Sequence, residues 1–238
     1  MRLENIVWDA RVPQHLGVFW AAALGADPLT DQRELYEARV SFDAGFFLDL
    51  CLPHVATPSV SPARLHLDVA GGARQREVVD RLLDLGAEHA DIGQGDVPWV
   101  VLADPEGNAF CVREDRDAYR DTGPIAGLPM DSTAPERDAA FWADITGWVR
   151  FDGAAPATLR HPSGTGPLLE FWPEPEAKQG KNRLHLDVRR AAGDGDDVFS
   201  SVIESGASRL DDYGPDLPWT VMADPSGNEF CILPPSPA

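Results

Sequence analysis

Arg64-Leu65-His66-Leu67-Asp68-Val69 is written a second time as Arg183-Leu184-His185-Leu186-Asp187-Val188, 119 residues later. Downstream, Pro98-Trp99 and Ala103-Asp104-Pro105-Glu106-Gly107-Asn108 return 120 residues on, as Pro218-Trp219 and Ala223-Asp224-Pro225-Ser226-Gly227-Asn228. Phe110-Cys111 returns as Phe230-Cys231 at the same offset, and upstream Phe19-Trp20 returns as Phe141-Trp142 at 122. Self-similarity at a nearly fixed offset means a tandem repeat, here of about 120 residues. The small drift places insertions in loops, where they cost little. Residues 1–118 form copy one, 119–135 the linker and start of copy two, and 124–238 copy two. The join, near Arg116 to Pro135, is rich in Asp, Gly and Pro and lacks apolar periodicity.

Each copy reads as two similar halves. Ile6-Val7-Trp8 is a short strand, and Leu16, Phe19, Trp20, Ala23 and Leu24 recur at helical spacing until Gly25. Strands at Glu34–Phe42 and Phe46–Leu52 follow. The second half opens with a strand at Arg64–Val69. Its helix carries Val78, Val79, Leu82 and Leu83, and strands near Glu88–Ile92, Trp99–Ala103 and Ala109–Arg113 complete the copy. In copy two, Phe141, Trp142 and Ile145, then Val198, Phe199, Val202 and Ile203, mark the equivalent helices.

Side chains two apart on a strand share a face. Leu65, Leu67 and Val69 therefore pack together, and Arg64, His66 and Asp68 form a polar row on the opposite face. Arg183, His185 and Asp187 form its twin. If the sheet curls, these rows line a cavity; if it lies flat, they face water. Asp-Pro-x-Gly-Asn has the residues a type I turn favours, so Asp104 and Asp224 connect strands rather than catalyse.

The 238 residues are 43% hydrophobic and 25% charged, an ordinary globular composition. A formal net charge of −19 repels phosphate backbones and anionic lipid, so neither nucleic acid nor a membrane is expected as partner. Three cysteines, Cys51, Cys111 and Cys231, are too few for a disulfide framework. With no signal-peptide pattern at Met1-Arg2-Leu3-Glu4-Asn5, a cytoplasmic location is expected. No phosphate-binding loop, nucleophile elbow or dinucleotide fingerprint occurs.

The tandem copies, Arg-Leu-His-Leu-Asp-Val and Trp…Ala-Asp-Pro-x-Gly-Asn-x-Phe-Cys together resemble the vicinal oxygen chelate superfamily of glyoxalase, bleomycin-resistance and dioxygenase proteins. Within it, the glyoxalase-like branch is the nearer. The resemblance implies an α+β fold of tandem glyoxalase-like domains. Each would hold two βαβββ modules, with a curled mixed sheet and helices on its outer face. It also implies a divalent metal held by His, Gln and Glu on four strands. The matching positions here are Asn5 and Gly127, Arg64 and Arg183, Asp49 and Glu170, and Cys111 and Cys231. Arginine cannot ligate a cation, so the standard metal set is missing and no cofactor is expected.

The function so implied is binding of a small organic molecule in a sheet cavity, for sequestration or for a metal-independent isomerase or lyase step. His66 and His185 are the acid–base candidates, since imidazole exchanges protons near neutrality. Arg64, Asp68, Trp99, Lys178, Lys181, Arg183, Asp187, Trp219 and Cys231 are the ligand-binding candidates. Both lysines of the chain fall in the loop before Arg183, where they would meet an anionic ligand. One alternative is a metal-dependent lyase, isomerase or dioxygenase on a shifted set, either Asp49, His66 and Cys111 or Glu170, His185 and Cys231. Another is a structural protein with vestigial cavities. The partners expected are the small molecule and, in a homodimer, a second copy of the chain.

Overall fold

In a computed structural model, which describes residues 1–213 and 217–236, the chain forms four modules of one helix and four strands. The first comprises β1 (Arg2–Trp8), α1 (Pro13–Leu24), β2 (Asp27–Gln32), β3 (Leu35–Ser41) and β4 (Phe47–Pro53). The second comprises β5 (Asp68–Gly72), α2 (Gln75–Asp84), β6 (Glu88–His89), β7 (Val100–Ala103) and β8 (Ala109–Glu114). The third comprises β9 (Ile125–Ser132), α3 (Pro135–Thr146), β10 (Val149–Arg150), β11 (Ala157–Arg160) and β12 (Leu168–Pro173). The fourth comprises β13 (Leu184–Arg189), α4 (Asp197–Glu204), β14 (Ser208–Arg209), β15 (Thr220–Ala223) and β16 (Glu229–Leu233).

The helices begin and end where local chemistry dictates. Pro13 and Pro135 occupy the first turns of α1 and α3, where a missing N–H costs nothing. Gly25 and Gly147 close both helices at positive φ, their N–H groups returning to the carbonyls of Ala21 and Ala143. Gly17 lets α1 lie directly on β3: a Cβ there would stand 2.2 Å from the Tyr36 ring.

The strands assort into two mixed eight-stranded sheets. The first runs β14-β15-β16-β13-β1-β4-β3-β2 and the second β10-β11-β12-β9-β5-β8-β7-β6. Modules one and four share the first sheet, and modules two and three the second. Sequence repeat and sheet therefore do not coincide, since each sheet takes one module from each copy. The seams are antiparallel, β1 on β13 and β5 on β9.

Within a copy the two modules are joined by packing instead. Trp20 of α1 donates its indole N–H to Asp104 Oδ2 at 3.1 Å, in the turn between β7 and β8. Trp142 of α3 does the same to Asp224 at 3.2 Å, between β15 and β16. Both indoles are fully buried, each edge-on to a phenylalanine, Phe110 or Phe230. The other acceptor oxygen of each Asp takes the backbone N–H groups of its own turn, from Glu106 and Asn108 or from Ser226 and Asn228. This accounts for the repeated Asp-Pro-x-Gly-Asn: it is a turn that also anchors a tryptophan. All four helices and both sheets feed one continuous core.

The strand expected at Arg64–Val69 is shorter than its twin, beginning at Asp68 whereas β13 begins at Leu184. The cause lies opposite. Pro129 in β9 has no N–H to donate, so the ladder thins to single bonds, His66 N–H to Pro129 O and Asp131 N–H to Arg64 O. The edge strands β2 and β10 were not anticipated, as Asp27–Gln32 is polar and almost wholly exposed. Among the described residues no helix is long and apolar enough to cross a membrane.

Candidate functional site

The two polar rows come to lie on corresponding faces of the two sheets, and they differ. On the second sheet, His66 Nε2 lies 3.3 Å from Asp68 Oδ1, and Arg113 Nη1 lies 3.4 Å from Asp68 Oδ2. Arg113 follows Cys111 by two on β8 and so shares its face. Its guanidinium sits 4.3 Å from the centre of the Trp99 ring and 5.1 Å from that of Tyr119. The Tyr119 hydroxyl in turn donates to Glu170 Oε1 at 3.4 Å. Arg113 is on β8 and Glu170 on β12, three strand spacings apart, or about 14 Å on a flat sheet. One tyrosine touching both bridges that span and fills this face of the sheet. Tyr119, Ala126 and Leu168 form a small apolar cluster there, apart from the main core. Gly127 makes room for the acid, since a Cβ would meet Glu170 Oε2 at 2.8 Å.

Burial dominates the electrostatics of this face. Asp68 is 0% exposed and Glu170 1%. Burial, reinforced by the Asp68 carboxylate, pushes the Glu170 pKa up to about 7. Burial likewise raises the Cys111 thiol and the Tyr119 phenol. For His66, burial disfavours the cation, but Asp68 and Asp131 outweigh it and the pKa rises. Glu170 therefore binds a proton more readily folded than unfolded, so its ionisation erodes stability as pH rises from about 4.5 toward 7. We expect Glu170→Gln to remove a slope approaching about 1.4 kcal/mol per pH unit in that window, read by urea unfolding at several pH values. An unchanged slope would show that Glu170 ionises normally.

On the first sheet, His185 Nε2 lies 3.5 Å from both Cys231 Sγ and Asp187 Oδ1. Asn5, in the position of Gly127, donates to Asp187 Oδ2 at 3.0 Å. Asp49 is held by both arms of Arg39 at 2.7 Å, and Arg39 stacks on Phe47. Leu233 stands where the second sheet has Arg113, so no guanidinium covers Asp187 from that strand. His185 Nδ1 and Asp187 Oδ1 are buried without a hydrogen-bond partner. Such atoms call for a ligand, water or ion.

Several expected groupings are rearranged. The shifted metal sets exchange their acids: Glu170 faces His66 and Cys111, while Asp49 lies in the sheet of His185 and Cys231. The sets Asp49–His66–Cys111 and Glu170–His185–Cys231 are thus each split between sheets, because modules pair across copies. Asp68 and Asp187 complete the two His–Cys groups instead. The basic loop is not free for an anion either. Lys178 pairs with Glu229 at 2.6 Å, Lys181 with the buried Asp9, and Arg183 with the buried Glu106. Arg64 bonds the carbonyl of Glu176 at 3.0 Å, its Nε and Nη2 being unpartnered. Trp99 stacks on Arg113, whereas Trp219 is 40% exposed. Sequence reasoning missed Arg113 and Tyr119. The period-two spacing from Cys111 held the signal for Arg113; the linker tyrosine gave none.

The divalent ion that the fold family implies can be tested against both faces. The second fits poorly: His66, Asp68 and Cys111 stand as close together, but the Arg113 guanidinium 3.4 Å from Asp68 repels a cation there. The first fits. Two ligands of a tetrahedral zinc stand about 3.3–3.6 Å apart for N, O and S donors; His185 Nε2 meets that spacing to both Cys231 Sγ and Asp187 Oδ1, and the three ligand atoms lie within 4.8 Å of one another.

The model of the glyoxalase-like domain matches residues 5–113 and again 128–233. Among solved structures, glyoxalase I from Zea mays aligns over 98% of this chain and 92% of its own, at 16% identity and a TM-score of 0.63. A candidate dioxygenase from Bacillus subtilis subsp. subtilis str. 168 aligns over 100% and 86%, at 15% identity and 0.62. At such identities the likeness concerns the fold alone. No curated protein matches the chain.

Proposed function

The chain belongs to the glyoxalase-like domain family in both its copies, and from that premise we propose that it binds a small organic molecule on the polar face of the first sheet. His185 is the proton-exchanging group and Asp187, oriented by Asn5, its acidic partner. The twin face of the second sheet is closed by Tyr119 and Arg113 and serves the fold. The observation that carries this reading is the contrast between the faces. Both leave buried Asp oxygens short of hydrogen bonds, but only the first leaves a buried imidazole nitrogen, His185 Nδ1, without a partner, and only the second is spanned by a tyrosine and has a guanidinium beside its Asp. Sequestration, or a proton transfer within the bound molecule, would use the same groups.

A thermal-shift screen of aromatic metabolites and antibiotics tests it, since a native-state ligand at a hundredfold excess over Kd stabilises by about 2.7 kcal/mol. We expect stabilising compounds to lose their effect in His185→Ala and keep it in His66→Ala. The reverse pattern would place the ligand on the second sheet and refute the assignment.

A second reading rests on the ligand spacing of the same face. His185, Asp187 and Cys231 would hold a zinc-like ion, which supplies a Lewis acid able to polarise a carbonyl. Burial and Asp187 push the Cys231 thiol up, and a bound cation would reverse that by displacing the proton. Metal analysis of chelator-free protein separates the readings: near-stoichiometric metal, lost in Cys231→Ala and kept in Cys111→Ala, favours the ion.

A further inference from the structure

A cavity of about 410 Å³ opens between the loop 54–63 and the turn Asp104–Asn108. It does not belong to the polar face. Trp8 and Leu184 in its wall are paired across β1 and β13, one residue from the Val7–His185 pair, and so point to the opposite side of the sheet. The repeat shows what fills the same space in copy two. There Lys178 donates to Glu229 and to the Gly180 carbonyl, and Asn182 bonds Asn228 at 3.3 Å and, through its N–H, Glu229 at 3.1 Å. The repeat offsets put Ser59, Ala63 and Ala109 in place of Lys178, Asn182 and Glu229. Three truncations leave the space open.

We propose that this cavity is a second ligand site, taking a small organic carboxylate with an apolar body. Its volume lies within the range of ordinary ligand pockets. Leu65, Leu67 and Phe110 give it an apolar floor, and the hydroxyls of Ser59 and Ser61 give it donors at the rim. Glu106 is the one carboxylate in the wall among the described residues. It is already taken by the backbone N–H groups of Arg11 and Val12 and by Arg183, and has little to offer an incoming donor. An ammonium ligand is further disfavoured because Ala109 replaces the glutamate that holds Lys178 in copy two. An anion instead meets the hydroxyls of Ser59 and Ser61 and the Arg183 guanidinium in the same wall.

Matched probes test the class: phenylacetate and hexanoate against phenethylamine and hexylamine, by thermal shift and titration. We expect at least one carboxylate to titrate saturably and to raise Tm by about 3 °C at tenfold excess over Kd, with neither amine doing so. Rebuilding the plug of copy two with Ser59→Lys, Ala63→Asn and Ala109→Glu should abolish the shift. So should the single rim substitution Ala63→Phe, at an exposed position that leaves the fold intact. His185→Ala should leave binding unchanged, which separates this site from the polar face. The proposal is overturned if neither carboxylate binds, if the amines bind equally, if folded plugged variants bind as before, or if His185→Ala abolishes binding.

Discussion

Trp142→Ala is expected to cost about 3–5 kcal/mol, the loss typical of a fully buried large aromatic side chain. In a chain of this length that lowers Tm by roughly 6–20 °C. The indole is completely buried, packs edge-on against Phe141 and Phe230, and supplies one of the bonds to the buried Asp224. Asp224 is itself under stress, burial pushing its pKa up to about 6 against the bonds from its own turn. Trp142→Phe keeps much of the ring and deletes the N–H, so it should cost about 1–3 kcal/mol, the penalty of an underbonded buried acceptor. Urea unfolding followed by far-UV circular dichroism gives both numbers. If Trp142→Phe matched Trp142→Ala, the hydrogen bond would outweigh the packing and this account of the helix–turn junction would fail.

The second large effect is at Arg113. Arg113→Leu installs what copy two carries at the equivalent position, Leu233, yet removes the cation beside an Asp68 that no solvent reaches. Leaving a buried charge without its partner costs about 3–5 kcal/mol. Adding Asp68→Asn should return a large part of that loss, because the stranded charge is then gone. The cycle of wild type, two single variants and the double variant measures the coupling directly. Additive single losses would show that Arg113 acts through its stacking on Trp99 and Tyr119 rather than through Asp68.

The repeat made the module content readable from sequence, since Arg-Leu-His-Leu-Asp-Val and Asp-Pro-x-Gly-Asn each fix a local geometry. Periodicity placed the helices well because Gly25 and Gly147 end them sharply. Which module pairs with which was not readable. Strand partners are chosen by contacts such as Asn5 with Asp187, 182 residues apart, and nothing local announces them. That is why Asp49 and Glu170 were grouped with the wrong histidines. The strand expected from Arg64 begins late for a different reason, a single proline on the facing strand that interrupts the ladder. Lys178 and Lys181 looked available in a strongly acidic chain, but Glu229 and Asp9, distant in sequence, neutralise them.

The crossed assortment of modules has a bearing on how such a chain could be divided. Severed between β8 and β9, neither half would own a complete sheet, for β1 would part from β13 and β5 from β9. Each fragment would present two bare strand margins, complementary to those of its twin. A single repeat has the surfaces of an obligate self-associating subunit, and the linker spares the molecule the search for its mate.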